Sequence, residues 1–582
     1  MFRVPISRRR LLQSAAMGAA GLLPSRLFAQ VPVDYAAASQ SAQGNQWAVA
    51  TAHPLATQAA VQQFRSGGNA IDAAVAASLM LSVVDAHNSG IGGGGLALMR
   101  LADGRLLAID GRETAPMRSL AEHYLNEKGQ PDVSRSQIGA LAVGVPGLLS
   151  LLQELSQEFG RLNWQDALLQ AAVVAEQGYA ISDYFAKVLQ RTASELSRFP
   201  ASAAIWLDSS GKPRQAGDVV RQNDMAQSLR KIAQEGTHWF YQGEFAEKME
   251  RYMVEQGGWL RADDLANYKT IRREPIVGTY RGHQICGFSP PSSGGIHVGQ
   301  MLGMLEPFDV AELFQRSAAT GLHLLVEVMK RAMADRVHWL GDADFAKVPR
   351  GLLDRDYLRQ RAADIDLTRS VRVTGHGIPP AADIDLFGRG GHTTHLATAD
   401  ADGNVVALTQ TINTSFGAKM VLPGTGITLN NQMDDFSLAP GVRNVFGLLG
   451  SQANQILAGK RPLSSMSPTI VLNSDGTLRL TVGAAGGPRI ITAVLQGLVR
   501  MLDLGMAPAD ALRAPRVHHQ WSPDRIMVED RMPGSIVEQL QQCGHSVDIT
   551  DTLAVAQAIE LKDGQFLSAS DPRVPSAAAA AL

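Results

Sequence analysis

"GGHTTHLATADADGN", residues 390–404, sets two threonines between two histidines, then an apolar run broken by threonine, then a turn. It admits three readings: a metal clip, a strand with a polar end, or a nucleophile that chain cleavage would uncover. In an extended strand, residues three apart point to opposite faces, so His392 and His395 cannot share an ion. A helix would unite them, yet Gly390 and Gly391 precede the pair, β-branched Thr393 and Thr394 interrupt it, and no HExxH glutamate is present. No metal is expected here. The nucleophile reading has a sharper physical form. A threonine hydroxyl inside a chain is a poor nucleophile, but at a chain terminus it has its own base, an α-amine of pKa roughly 7.7 to 8. Cleavage between His392 and Thr393 would create that amine. The glycine-rich "FGRGGH" ahead of it offers an accessible segment, and the strand behind it would hold the new terminus in a sheet.

Outward from this stretch, "TTHLATA" and "NVVALTQTIN" are β-prone and joined by "DADGN"; "SPTIVLN" and "TLRLTV" are joined by "NSDG". Both pairs predict hairpins. Residues 489–502 follow as an apolar-periodic helix after the Gly486-Gly487 hinge. Earlier, residues 48–84 predict a short strand, a helix opening near Pro54, a stop at Gly67-Gly68 and an alanine-rich helix capped by Asn69. Helical spacing returns over 146–181 and 317–339, so the first two-thirds reads as mainly helical with strands interspersed. Gly92 to Gly95 precede a strand with no Lys-Ser/Thr after them, which predicts tight packing rather than a phosphate cradle. The tail "PSAAAAAL" is expected to fray.

At 582 residues with 19% charged side chains and net charge −2, the chain has no basic excess for neutralising phosphates, so nucleic acid is excluded as a partner. Two cysteines, Cys286 and Cys543, exclude a disulfide scaffold and a CxxC site. Residues 1–29 place Arg8, Arg9 and Arg10 before an apolar run too short to span a bilayer, with small residues at its exit. This predicts an export signal of twin-arginine type cut after Ala29, a periplasmic or secreted product, and no membrane span in the mature form.

Six blocks taken together carry a family resemblance: "SGIGGGGLALMR", "DGRETAP", "PPSSGGIHVGQ", the long run from Thr393 to Ser437, "KRPLSSMSPTIV" and "AAGGPRIITAVLQ". In this order they resemble the γ-glutamyltransferase (glutathione hydrolase) family. The resemblance implies an α/β layered fold, the N-terminal-nucleophile hydrolase αββα sandwich, made as one precursor. It divides the chain into residues 30–392, a large subunit, and residues 393–582, a small catalytic subunit. Thr393 would attack the γ-carbonyl of glutathione or another γ-glutamyl compound. The glutamyl ester so formed would pass to water or to an amino acid or peptide acceptor, with no cofactor. Gly486 and Gly487 resemble the oxyanion-hole pair, and Thr411 a hydroxyl touching the nucleophile. Arg112 resembles the carboxylate clamp, aided by Ser464 and Ser465, while Asn413, Gln432 and Asp435 resemble the residues that hold the ammonium. Thr394 and His395 read as strand support. In "PGVRNVFGLLGSQANQ", resembling the lid over the site, Phe446 stands where bacterial members carry tyrosine, and "FGRGGH" departs from the usual lead-in. Two alternatives stand: an acylase of the same fold acting on glutaryl-cephalosporins, whose substrates lack the ammonium that Asp435 would meet, and an uncleaved, inactive binding homologue.

Overall fold

Two seven-stranded sheets lie face to face in the computed structural model, which describes residues 39–380 and 394–582. The proposed export signal and the His392–Thr393 junction lie outside the described residues. One sheet runs, strand by strand, Ala578–Ala581, Trp47–Thr51, Thr394–Asp400, Val405–Thr411, Gly94–Arg100, Leu106–Gly111 and Ile271–Arg273. The other runs Ser41–Gly44, Gln565–Ser570, Val555–Lys562, Leu478–Ala485, Thr469–Leu472, His283–Gly287 and Ile276–Tyr280. All pairings within these two sheets are antiparallel.

The strands at the centre are buried on both faces, which is why "LATA" and "VVALTQT" do not alternate cleanly between apolar and polar. Leu98, Ala397, Ala407, Phe288, Ile470 and Phe566 belong to the layer between the sheets. A second core packs the helices Pro54–Arg65, Ala70–Val84, Leu148–Phe159 and Trp164–Gln177 on the outer face of the first sheet. A third packs Gly294–Leu305, Ala318–Trp339 and Arg489–Leu502 on the second. The order of layers is therefore αββα. No helix among the described residues is long and apolar enough to cross a membrane.

Several local expectations hold for the reasons given. Asn69 caps Ala70–Val84 through Ile71 N and Asp72 N, and Asp72 returns the bond to Asn69 N. Gly403 and Gly476 close the two hairpins with φ of 94° and 81°. A Cβ on Gly93 would lie 1.8 Å from Thr411 O, and one on Gly92 2.2 Å from Thr428 O, so this run is a packing device. The block 146–181 divides into two helices at Gly160, the second capped by Asn163. Cys286 and Cys543 are unpaired. The tail corrects the reading of its sequence: Ala578–Ala581 pairs with Trp47–Thr51 and forms the edge of a sheet. Leu582 O also accepts from Asn45 N at 2.7 Å. Alanine has weak strand preference, but a run of small side chains fits against an edge where larger ones would meet the opposite sheet.

Candidate active site

The strand that opens the small subunit in the sequence reading lies mid-sheet. Thr394 pairs with Gln410 on one side, and Ala397 to Asp400 pair with Ala50 to Trp47 on the other. Its first side chains are fixed from both faces. Thr394 Oγ1 donates to Asp85 Oδ2 at 2.8 Å, and Asp85 sits where the helix Ala70–Val84 ends. His395 Nδ1 meets Thr409 Oγ1 at 3.0 Å, and its ring covers Gly483 of the facing sheet, where a Cβ would lie 2.3 Å from the ring. Thr394 and His395 do support the strand, as expected, but both also line a cavity of about 440 Å³ shared with Asp85, His87, Asn413, Phe446 and the Gly486-Gly487 pair.

Arg489 and the exposed Arg191–Asp551 pair line the cavity too, but the titratable groups around Thr394 are shifted toward neutrality. Burial lowers His53, His87 and His395 to about 3, so all three rings are neutral near pH 7. Burial likewise lifts Asp85 to about 7, against hydrogen bonds from Thr394 and Asn88 that favour its ionised form. Gly486 and Gly487 have φ of 134° and 71°, and a Cβ on Gly486 would meet the Ala554 backbone at 2.8 Å. Only glycine allows the chain to turn here from the strand Leu478–Ala485 into the helix Arg489–Leu502. Thr411 does not line the cavity. Its Oγ1 accepts from Asn413 N at 2.7 Å and holds Asn413 at φ 79°.

Beside the cavity is a second, charged pocket. Arg112 follows the strand Leu106–Gly111 and is pinned by its own N–H to Asp110 Oδ1 at 2.8 Å, an oxygen that also takes Arg461 Nη1 at 2.7 Å. Its guanidinium donates to Asp435 Oδ2 at 2.6 Å and to Glu113 Oε2 at 3.0 Å. The two residues expected to meet a carboxylate and an ammonium are thus in direct contact with each other. Gln432 Nε2 donates to Asp435 Oδ2 at 2.8 Å, while Gln432 Oε1 and Asn413 Oδ1 are buried acceptors without a donor among the described residues. Ser464 Oγ accepts from Met466 N at 3.0 Å, and Ser465 Oγ accepts from Arg336 Nη2 at 3.1 Å. Asp435, Ser465 and Arg336 border a closed void of about 20 Å³, room for one water, beneath the segment 442–451. That segment is tethered by Val445 N to Asp434 Oδ2 at 3.1 Å, and Phe446 faces the larger cavity. Burial raises Asp434 to about 6.

Of the predicted residues, Arg112 and Gln432 contact Asp435, Ser465 borders the small void beside it with Ser464 next in the chain, and Asn413, Gly486 and Gly487 line the adjoining cavity. Three participants escaped sequence reasoning. Glu113 carried a signal, being next to Arg112; burial lifts its carboxyl to about 7 although Arg112 opposes the rise. Asp85 and Arg336 carried none, because each looks like an ordinary charge at a helix end. Among the described residues, His323, Glu327 and His545 also form a group with metal-ligand spacing. Both oxygens of Glu327 are already held, by Lys330 at 2.7 Å and Arg331 at 2.8 Å, and His323 Nδ1 and His545 Nε2 bond each other at 2.7 Å.

Comparison with known proteins identifies the family and the fold. The chain is 39% identical to the glutathione hydrolase proenzyme of Escherichia coli over 90% of each chain. It is also 39% identical to the acylase ACY 1 proenzyme of Pseudomonas sp. (strain SE83), over 89% of this chain and 91% of the relative. The crystal structure of a cephalosporin acylase from Bacillus halodurans superposes with a TM-score of 0.82 at 27% identity, covering 96% of this chain and 99% of that one. The αββα sandwich is the N-terminal-nucleophile hydrolase fold. Matched to the Gamma-glutamyltranspeptidase family from residue 56 to residue 581, the chain belongs to that family.

Proposed function

We propose that this protein is a self-processing γ-glutamyltransferase and glutathione hydrolase whose nucleophile is Thr393, released by cleavage after His392. One observation carries the reading: a buried cation and a buried carboxylate, Arg112 and Asp435, meet at 2.6 Å with hydroxyl donors on one side and unpartnered amide acceptors on the other. An L-α-amino acid head, with its carboxylate and ammonium on one carbon, complements both signs at once. The γ-carbonyl, three carbons from the α-carbon, would then reach toward Gly486 and Gly487. There the Thr393 hydroxyl adds to the carbonyl while its α-amine takes the proton. Backbone N–H groups at the glycine pair stabilise the oxyanion. The proton passes to the departing amine as the C–N bond breaks, leaving a glutamyl ester. Water, or an amino acid or peptide amine, attacks that ester and regenerates the hydroxyl.

The relatives include acylases, which makes removal of glutaryl-type groups the second reading. Asp435 argues against it, because a glutaryl head has no ammonium and would leave the acceptors Asn413 Oδ1 and Gln432 Oε1 unmatched. Residues 30–392 and 393–582 form the two subunits in this proposal. They would remain associated because each sheet draws strands from both sides of residue 393. The arginine-led N-terminus supports export by the twin-arginine route, to the periplasm or beyond. A denaturing gel with N-terminal sequencing tests the proposal. Two bands are expected, the smaller beginning Thr-Thr-His, with turnover of a chromogenic γ-glutamyl anilide. Thr393→Ala should give one band and no turnover. An active single chain would overturn the scheme.

A further inference from the structure

Arg336 is 4% exposed near the end of the helix Ala318–Trp339, and no carboxylate lies within ion-pair distance of it among the described residues. A buried guanidinium out of contact with any carboxylate is costly, and burial lowers its pKa to about 10 although the charge of Asp435 opposes the fall. Its contacts are two hydroxyls: Nε donates to Ser293 Oγ at 3.0 Å and Nη2 to Ser465 Oγ at 3.1 Å. The protons of those hydroxyls must then point elsewhere. Ser293 Oγ donates to Ser464 O at 2.6 Å. Ser465 Oγ has no acceptor among the described residues, and Ser464 Oγ, which accepts from Met466 N, has none either. Both serines adjoining Asp435 are therefore left as donors with their hydrogens unspent.

Arg112, by contrast, is spent. Its three nitrogens meet Asp435, Glu113 and, at 3.4 Å, Pro462 O. Two carboxylates facing one guanidinium reduce, without cancelling, the positive potential that Arg112 offers a third. On the serine side of the pocket the cation is Arg336, which shares Asp435 as an opposing charge without touching it.

We infer that Arg336 is a positioning residue for substrate recognition: it holds Ser465 as a hydrogen-bond donor and supplies the positive potential that fits the pocket to a substrate α-carboxylate. The inference rests on the γ-glutamyl reading and deepens it. The group does not touch the scissile bond, so its effect falls on binding. A purely structural bolt between the Ser293 turn and the 464–465 segment would instead reduce folding or processing and leave the kinetics of the surviving enzyme alone.

Steady-state kinetics of processed enzyme with a γ-glutamyl anilide distinguish the two. Arg336→Met should raise KM ~10-fold or more, the loss of a charge-assisted contact, with kcat within ~3-fold. On a Ser465→Ala background the same substitution should raise KM clearly less, because its main route of action is already gone. Should Arg336→Met fail to process, Arg336→Lys carries the test. It keeps the charge but lacks the fork that reaches both serines, and a KM increase of at least ~3-fold is expected. An unchanged KM in whichever variant is read, or fully additive effects with Ser465→Ala, overturns the inference. Wild-type protein that does not cleave the anilide overturns the γ-glutamyl reading itself, a distinct outcome.

Discussion

The pocket at Arg112 and Asp435 and the cavity before Gly486 and Gly487 adjoin, yet they treat charge in opposite ways. In the first, opposite charges meet: Arg112 contacts Asp435 and Glu113, although burial lifts the Glu113 carboxyl to about 7, and Arg336 is held by hydroxyl oxygens. In the second, burial neutralises the histidines and shifts Asp85, and the charges that remain in the lining are Arg489 and the exposed Arg191–Asp551 pair. His53, His87 and His395 are neutral, and Asp85 titrates near neutrality rather than in the ordinary carboxylate range. Recognition of a permanently charged head needs fixed counter-charges. Stabilising charge that appears only in the transition state needs oriented dipoles in a setting with no competing ions or bulk water. Substitutions in the first region should therefore act on KM and those in the second on kcat.

The largest test of that division is Gly486→Ala. The added Cβ would lie 2.8 Å from Ala554 Cα and at a φ of 134°, so the backbone must move and carry its N–H with it. Loss of one oxyanion donor costs ~10²- to 10³-fold in kcat, and KM should change little. If kcat falls less than ~3-fold in protein that has processed normally, the glycine pair is only a turn. Next in size is Asp435→Asn. It keeps the shape but removes the charge facing the ammonium, so KM for γ-glutamyl substrates should rise ~10- to 100-fold with kcat less affected. Equal losses in both parameters would break the comparison, since the pocket would then be shaping the reacting geometry as well.

Most of this site was legible because its blocks are local. "DGRETAP" places Arg112 at a strand end, "NNQMDDF" forms one short 3₁₀ turn from Gln432 to Asp435, and "GG" before an apolar helix marks the strand-to-helix turn. Periodicity found the helices Pro54–Arg65, Ala70–Val84, Ala318–Trp339 and Arg489–Leu502 because each has a cap, a breaker or an apolar face of its own. What stayed hidden depends on contacts between distant segments. Arg336 meets Ser465 across 129 positions and Asp85 meets Thr394 across 309, and neither has a local pattern to announce it. The strand Ala578–Ala581 was missed for the same reason: its partner Trp47–Thr51 lies at the other end of the chain, so pairing rather than propensity decides its state.

Asp85 supplies the smallest effect and the finest test of the neutral cavity. Its carboxyl is raised from 3.8 to about 7, first by burial, with the bonds from Thr394 and Asn88 opposing. The folded protein therefore holds this proton more tightly than the unfolded chain. The stability it contributes is complete below about pH 4, declines as pH climbs from there to about 7, and is lost above that window. The neighbouring histidines His53, His87 and His395, lowered from 6.5 to about 3, cost stability as pH falls through that range, but they do so equally in wild type and variant, so the comparison cancels them. Asp85→Asn cannot ionise, and its side-chain oxygen can still accept the Thr394 hydroxyl bond. Melting temperatures of wild type and Asp85→Asn should converge near pH 4 and separate toward pH 8, with the variant the more stable by a few degrees at the alkaline end. Activity should change only a few-fold, since Asp85 touches Thr394 rather than the reacting atoms. Two melting profiles that stay parallel from pH 5 to 8 would mean that Asp85 ionises freely, and the cavity before the glycine pair would then carry a charge like the pocket beside it.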